Sequence, residues 1–98
     1  MGHDSMEDEI ENFRNQYEKR LNELGFHYSK TNTSSIEYER HRHRSAIPND
    51  ALIIYFNDEG IAKIVLFEYT YHYRLITQSY FFNSMEELFK VLEVENKK

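Results

Sequence analysis

The sequence predicts one α+β domain, in which two helices pack on an antiparallel sheet of about five strands in the order α-β-β-β-β-β-α. An amphipathic helical pattern stands at each end of the chain, and short apolar runs separated by turn residues fill the middle. A chain of 98 residues has room for one hydrophobic core only. We therefore treat residues 1–98 as a single domain and expect residues 1–4 and 95–98 to lack stable structure.

The two helices have clear boundary signals. The first is predicted over about residues 6–24, where apolar side chains recur every three or four residues and form one narrow stripe. Gly25 then supplies the left-handed conformation that commonly ends a helix. The second helix is predicted to begin after Ser84, whose spacing to Glu87 forms a capping box, and to continue to about Val94.

Turn residues divide the middle of the chain into strands. Strands are predicted at 26–29, 35–44 and 51–56, with turns or loops at 30–34, 46–50 and 57–60. The run from Ala51 to Phe56 is apolar on both alternating faces and too short for a helix, which indicates a buried central strand. The tetrapeptide from Asn57 to Gly60 is typical of a tight hairpin turn.

Two alternatives remain for the chain that follows this hairpin turn. The 22 residues from Ile61 to Phe82 contain no Gly, Pro, Asn or Asp. One straight strand of that length would extend about 70 Å, much further than a small domain. The chain must therefore bend, and we expect the bend near residues 70–72. A hairpin within the domain and an arm that reaches another subunit both fit the pattern.

Composition excludes several classes of function. The absence of Cys rules out disulfides and thiolate metal sites, and three Gly cannot build a phosphate-binding or dinucleotide-binding loop. No catalytic motif is present, so we predict a non-enzymatic protein without a cofactor. No apolar stretch approaches the roughly 18 residues of a membrane span, so a cytoplasmic location is expected. Abundant residues with AT-rich codons indicate a bacterial or phage gene from a low-GC host.

The central hairpin presents apolar side chains on both faces of the sheet. If both helices cover one face, the other exposes more apolar surface than the few hundred Å² that monomers usually tolerate. Tyrosine is favoured at interfaces because its ring is buried while its hydroxyl stays hydrated. We therefore predict a homodimer formed through an aromatic sheet face, with interface residues Tyr55, Tyr69, Tyr71 and Tyr73. The alternative is a monomer with one helix against each face.

A basic strip gives a second hypothesis for function. Arg40, Arg42 and Arg44 fall on one side of the second strand, and tyrosines lie near them in the sequence. Arginine pairs with phosphate and tyrosine stacks on bases, so residues 38–44 are the candidate site for RNA or single-stranded DNA. The same arginines also fit the charged rim of a dimer interface or an edge kept soluble by charge. A net charge of −5 argues against general polyanion binding.

One histidine pair has the spacing of metal ligands. His41 and His43 are two residues apart on the second predicted strand, so their imidazoles point the same way. Glu37 and Glu39 share that face. A zinc site needs at least three converging ligands, and nothing in the sequence fixes the third. We therefore predict no metal.

Overall fold

Two helices and five strands follow one another in the predicted order. The structure is a computed structural model that describes residues 7–41, 49–69 and 76–96. Its elements are α1 (Glu7–Glu23), β1 (Phe26–Thr31), β2 (Ser35–Arg40), β3 (Asp50–Asn57), β4 (Gly60–Tyr69), β5 (Ile76–Phe82) and α2 (Met85–Asn96). The predicted α+β class and element order are confirmed.

The five strands form one antiparallel meander in the order β1-β2-β3-β4-β5. β5 pairs with β4 of the same chain, with Val65 opposite Phe81. The chain therefore reverses between Tyr69 and Ile76, and of the two alternatives the hairpin is right and the arm is wrong. The predicted bend at residues 70–72 lies outside the described residues.

The helix boundaries follow the predicted signals. Gly25 has φ +97°, the left-handed conformation that ends α1. At the start of α2, the Glu87 backbone N–H donates to Ser84 Oγ at 3.2 Å, and the Asn83 backbone N–H donates to Glu87 Oε1 at 3.3 Å. α2 continues to Asn96, two residues beyond the predicted end, so its last turn includes part of the tail expected to lack structure.

Three strands differ in their bounds from the prediction, and the difference at β3 is one residue at each end. β1 extends to Thr31, because the reversal is tight enough for the Asn32 backbone N–H to donate to the Ser35 carbonyl at 2.8 Å. β2 ends at Arg40, where it pairs with the first residue of β3, Asp50. Residues 42–44, which were predicted to continue this strand, lie outside the described residues.

Both helices pack on the same face of the sheet. α1 and α2 contact each other, because the rings of Tyr17 and Phe89 lie 6.0 Å apart and Arg20 forms an ion pair with Glu93. One core cluster joins the helices to the sheet and consists of Ile10, Phe13, Leu21, Phe26, Ile36, Tyr38, Leu52, Ile54, Phe56, Ile64, Leu66, Met85, Leu88, Phe89 and Leu92. The alternative with one helix against each face is wrong.

Aromatic rings occupy the centre of this core. The Phe13 ring lies 6.3 Å from Tyr38 and meets Phe56 edge to face at 5.7 Å. Tyr38 is fully buried although it carries a polar hydroxyl. Tyrosine therefore supplies part of the packing in a chain with few purely aliphatic residues, since its ring buries a large area.

The two glycines with positive φ provide a matched test of the helix end. A Cβ at Gly25 would lie 3.3 Å from Arg40 Cδ, whereas a Cβ at Gly60, with φ +116°, would have no atom within 4 Å. Backbone strain alone costs about 1 kcal/mol, so we expect about that loss for Gly60→Ala and about 2 kcal/mol for Gly25→Ala. Urea denaturation measures both losses of unfolding free energy. Equal losses would show that the Arg40 side chain moves away from the new methyl group without a cost in free energy.

Candidate functional site

Among the described residues, no helix covers the face of the sheet opposite α1 and α2. Strand register places alternate residues of β2 to β5 there, because successive side chains point to opposite sides. We call this surface the open face. Its side chains on these strands are Ser35, Glu37, Glu39, Ala51, Ile53, Tyr55, Lys63, Val65, Phe67, Tyr69, Ser79 and Phe81.

An apolar row crosses the centre of the open face. Ile53, Val65 and Phe81 lie side by side on three neighbouring strands, because Ile53 pairs with Val65 and Val65 pairs with Phe81. Val65 is buried by its neighbours, whereas the Phe81 side chain is 65% exposed. Phe67, which is half-buried, continues the apolar surface along β4. This row is the hydrophobic feature that a partner can cover.

Lys63 lies at one end of the apolar row. Its ammonium nitrogen is 5.7 Å from the centre of the Tyr55 ring and 5.3 Å from the centre of the Phe81 ring. A cation is attracted to the faces of aromatic rings at such distances. Lysine can also keep its charge in water while its stem covers apolar surface. Lys63 is therefore suited to lie at the boundary between a buried apolar patch and solvent.

The β2 side of the open face is polar. The Glu37 carboxylate lies 3.6 Å from Lys30 Nζ and accepts a hydrogen bond of 3.4 Å from Asn32 Nδ2. Glu39 is half-buried beside it on the same strand. The open face therefore has an apolar half on β3 to β5 and a charged half on β1 and β2, an arrangement similar to the core and rim of an interface.

Two of the predicted interface tyrosines are among the described residues, and they lie at the margins of this surface. Tyr55 is on β3 opposite Lys63, and Tyr69 is the last residue of β4, six residues beyond Lys63. At about 3.3 Å per residue, roughly 20 Å separate these two ends of the face. Both tyrosines are half-buried. Tyr71 and Tyr73 lie outside the described residues.

The most exposed apolar residue of the open face, Phe81, was not among the predicted interface residues. Phe81 becomes part of the apolar row only through its pairing with Val65, which the sequence does not reveal. A signal was nevertheless present. Phe81 and Phe82 are adjacent on one strand, so they must point to opposite faces, and a single helical layer can cover only one of them.

Arg40, from the predicted basic strip, is engaged within the chain. Its Nε donates to Asp50 Oδ2 at 2.8 Å, and the two side chains are 12% and 0% exposed. The guanidinium also lies 4.5 Å from the centre of the Phe26 ring. Arg42 and Arg44 lie outside the described residues. The described part of the strip therefore joins β2 to β3 in the interior.

A second polar cluster holds α1 against the sheet. The Tyr38 hydroxyl donates to Glu18 Oε1 at 2.7 Å, and Arg14 donates to both carboxylate oxygens at 2.7 and 3.1 Å. The hydrogen bond from Arg14, with a further contribution from Tyr38, lowers the pKa of Glu18. Burial, reinforced by the neighbouring carboxylate, raises the pKa of Tyr38. The cluster stays charged at Glu18 and neutral at Tyr38 near neutral pH.

Comparisons with known proteins identify no relative, so any assignment of function rests on the geometry described above. No protein-family model, no curated protein and no solved structure matches the chain. Within residues 7–41, 49–69 and 76–96, no three His, Asp or Glu side chains are grouped closely enough to hold a metal ion. His43 lies outside those ranges. Neither described helix is long and apolar enough to cross a membrane.

Proposed function

We propose that this protein is a small non-enzymatic interaction module of the cytoplasm that forms a homodimer through its open face. The position of both helices on one side of the sheet carries the proposal. It leaves the row of Ile53, Val65 and Phe81 without a covering layer in the described chain. A two-fold axis brings the same row of a second copy onto it and removes both from water.

The size of the open face is sufficient for a stable dimer only if its polar half takes part. Five strands about 4.8 Å apart and about 20 Å long give a face of roughly 500 Å² in projection. A standard interface buries roughly 800 Å² of accessible surface per partner. Accessible surface exceeds projected area because side chains protrude from the sheet. The charged residues of β2 then form the hydrated rim, with the two sheets about 10 Å apart.

Nucleic-acid binding is the alternative function, and the sequence pattern is its only support. Arg40 would have to leave Asp50 to meet a phosphate, which would expose a carboxylate of the same sign as the ligand. The remaining basis is Arg42 and Arg44. If this alternative holds, Arg42→Glu abolishes salt-sensitive retention of an oligonucleotide and leaves the molecular mass of the protein unchanged.

Ile53→Lys tests the open-face dimer. Glu37 lies directly opposite residue 53 on β2, so the isolated chain can pair the new ammonium with a carboxylate. In the proposed dimer the same ammonium enters the apolar row, where burial of a charge costs several kcal/mol. We expect the association constant to fall at least about 100-fold and the assembly mass from light scattering to fall by half.

Ile61→Lys is the matched control, because Ile61 is 39% exposed and lies beside α1 rather than on the open face. The same change of residue type should leave the mass unaltered. Circular dichroism should show that both variants are folded. A wild-type chain that is monomeric at high micromolar concentration, or an Ile53→Lys chain that associates like wild type, would contradict the proposal.

A further inference from the structure

The two edges of the sheet differ in their protection against pairing with another strand. β1, at one edge, carries Lys30 and a register shift between Tyr28 and Lys30. Charged residues and bulges of this kind prevent edge strands from joining other sheets. β5, at the other edge, reads ITQSYFF from Ile76 to Phe82 and contains no charged residue, Pro or Gly. β5 also has a register shift, because Glu68 pairs with Gln78 while Tyr69 pairs with Ile76, which leaves Thr77 as an extra residue. From Gln78 to Phe82 β5 pairs regularly with β4, and this part of the edge has no charged residue, Pro or Gly.

Apolar side chains surround the β5 edge on the helix side of the sheet. Leu66, Tyr80, Phe82 and Val91 line a groove of about 460 Å³ between β5 and α2. Tyr80 is 41% exposed and Val91 is 43% exposed. One turn further along α2, Val94 is also exposed. The backbone edge and the outer side of α2 thus form one apolar surface, which meets the open face at Ser79 and Phe81.

We propose that β5 pairs in antiparallel fashion with β5 of a second copy, so that two sheets join into one of ten strands. The strand is complementary to itself. A two-fold axis at Ser79, in the regular part of the strand, sets Ser79 opposite itself and Gln78 opposite Tyr80 of the second copy. The two residues of each pair point to the same side of the joined sheet. The helices of both copies therefore lie on one side of it.

Charge favours a second copy as the occupant of this edge. The chain carries a net charge of −5, so most of its surface repels another copy of itself. β5 is the one described strand without a charged side chain, and self-pairing there brings no like charges together. The same axis brings the two α2 helices toward each other, and Val91 and Val94 then lie on facing sides.

Edge pairing and open-face packing are compatible in one assembly. The two-fold axis through Ser79 is perpendicular to the sheet, so both open faces of the joined sheet point the same way. If the proposed function also holds, a second ten-stranded sheet covers them and the complete assembly is a tetramer with three perpendicular two-fold axes. The edge pairing itself does not depend on the open-face dimer.

Tyr80→Glu tests the edge. Residue 80 lies on the helix side of β5, opposite Leu66, so the change leaves the open face intact. It puts a carboxylate into the paired edge and into the groove, and we expect the edge association constant to fall at least tenfold. Adding Gln78→Lys to the same chain sets a lysine opposite that carboxylate across the axis, twice in each dimer, and should restore association.

Combination with Ile53→Lys separates the two surfaces. By light scattering after gel filtration, we expect a tetramer for wild type, a dimer for either Ile53→Lys or Tyr80→Glu, and a monomer for the double variant. A wild-type dimer that only Tyr80→Glu dissociates would support the edge and contradict the open-face dimer. Unchanged mass for Tyr80→Glu, or no rescue by Gln78→Lys, would overturn the pairing of β5 with a second copy. An extended segment of another protein would then be the alternative occupant of the edge.

Discussion

Replacement of Arg40 by Met is expected to lower the free energy of unfolding by about 3 kcal/mol, because it takes the guanidinium away from a buried carboxylate. Asp50 has no exposed side-chain surface, and Arg40 Nε lies 2.8 Å from its Oδ2. Loss of one member of a buried pair removes the charge that offsets part of the desolvation of the other. Methionine keeps most of the apolar stem against Phe26, so the loss reports mainly on charge.

A double-mutant cycle with Asp50→Asn isolates the contribution of this pair. We expect the summed losses of unfolding free energy in the two single variants to exceed the loss in the double variant by about 2 kcal/mol. The reason is that Asn at position 50 needs no counter-charge. Arg20→Met is the control, because the Arg20–Glu93 pair is 50% and 44% exposed and should contribute less than about 1 kcal/mol. Additive single losses in urea denaturation would show that Arg40 and Asp50 do not depend on each other.

The second large effect is expected at Tyr38. Tyr38→Phe removes the hydroxyl that donates to Glu18 and should cost about 1.5 kcal/mol, in the range for hydrogen bonds to charged groups. Tyr28→Phe is the matched control on the neighbouring strand, with its ring 6.3 Å from that of Tyr38. Its hydroxyl contacts Thr31 at the exposed surface, so a loss below about 0.5 kcal/mol is expected.

The pH dependence of stability follows from the same cluster. Because the pKa of Glu18 is lowered in the folded chain, its contribution is complete above the ordinary Glu value of 4.5 and is lost as pH falls through the folded pKa. Because the pKa of Tyr38 is raised, its contribution is complete below the ordinary Tyr value of 10.0 and declines as pH rises above it. The difference between wild type and Glu18→Gln should therefore shrink below about pH 4.

These dependences can be measured by urea denaturation from pH 3 to pH 11. Wild type should lose more stability than Glu18→Gln on the acid side and more than Tyr38→Phe on the alkaline side. Parallel curves for wild type and both variants would show that the cluster does not couple folding to protonation.

Much of the fold was predictable because its signals are local. The helical stripe before Gly25, the capping box at Ser84 and the turn residues near Gly60 each act within a few residues, and the structure contains all three elements. The first three strands and their order followed from these boundaries. The course of residues 61–82 did not, because a reversal without turn residues is decided by the pairing of β4 with β5.

The candidate site was predictable only in part for the same reason. Alternation in the central hairpin correctly indicated that β3 and β4 carry apolar groups on both faces, and it placed Tyr55 on the surface now called the open face. It did not reveal Phe81 as the neighbour of Val65. Nor did it reveal that Arg40 pairs with Asp50, because the two meet across strands ten residues apart in the chain.

The sequence by itself determined the helices, the strands and the two-sided apolar character of the central hairpin, since periodicity and capping depend on neighbours along the chain. Only the tertiary structure decided which face of the sheet both helices cover, which strands lie at the two edges and that Arg40 pairs with Asp50. Those outcomes depend on contacts between distant segments, whose free energies are set by packing and burial rather than by local residue preference.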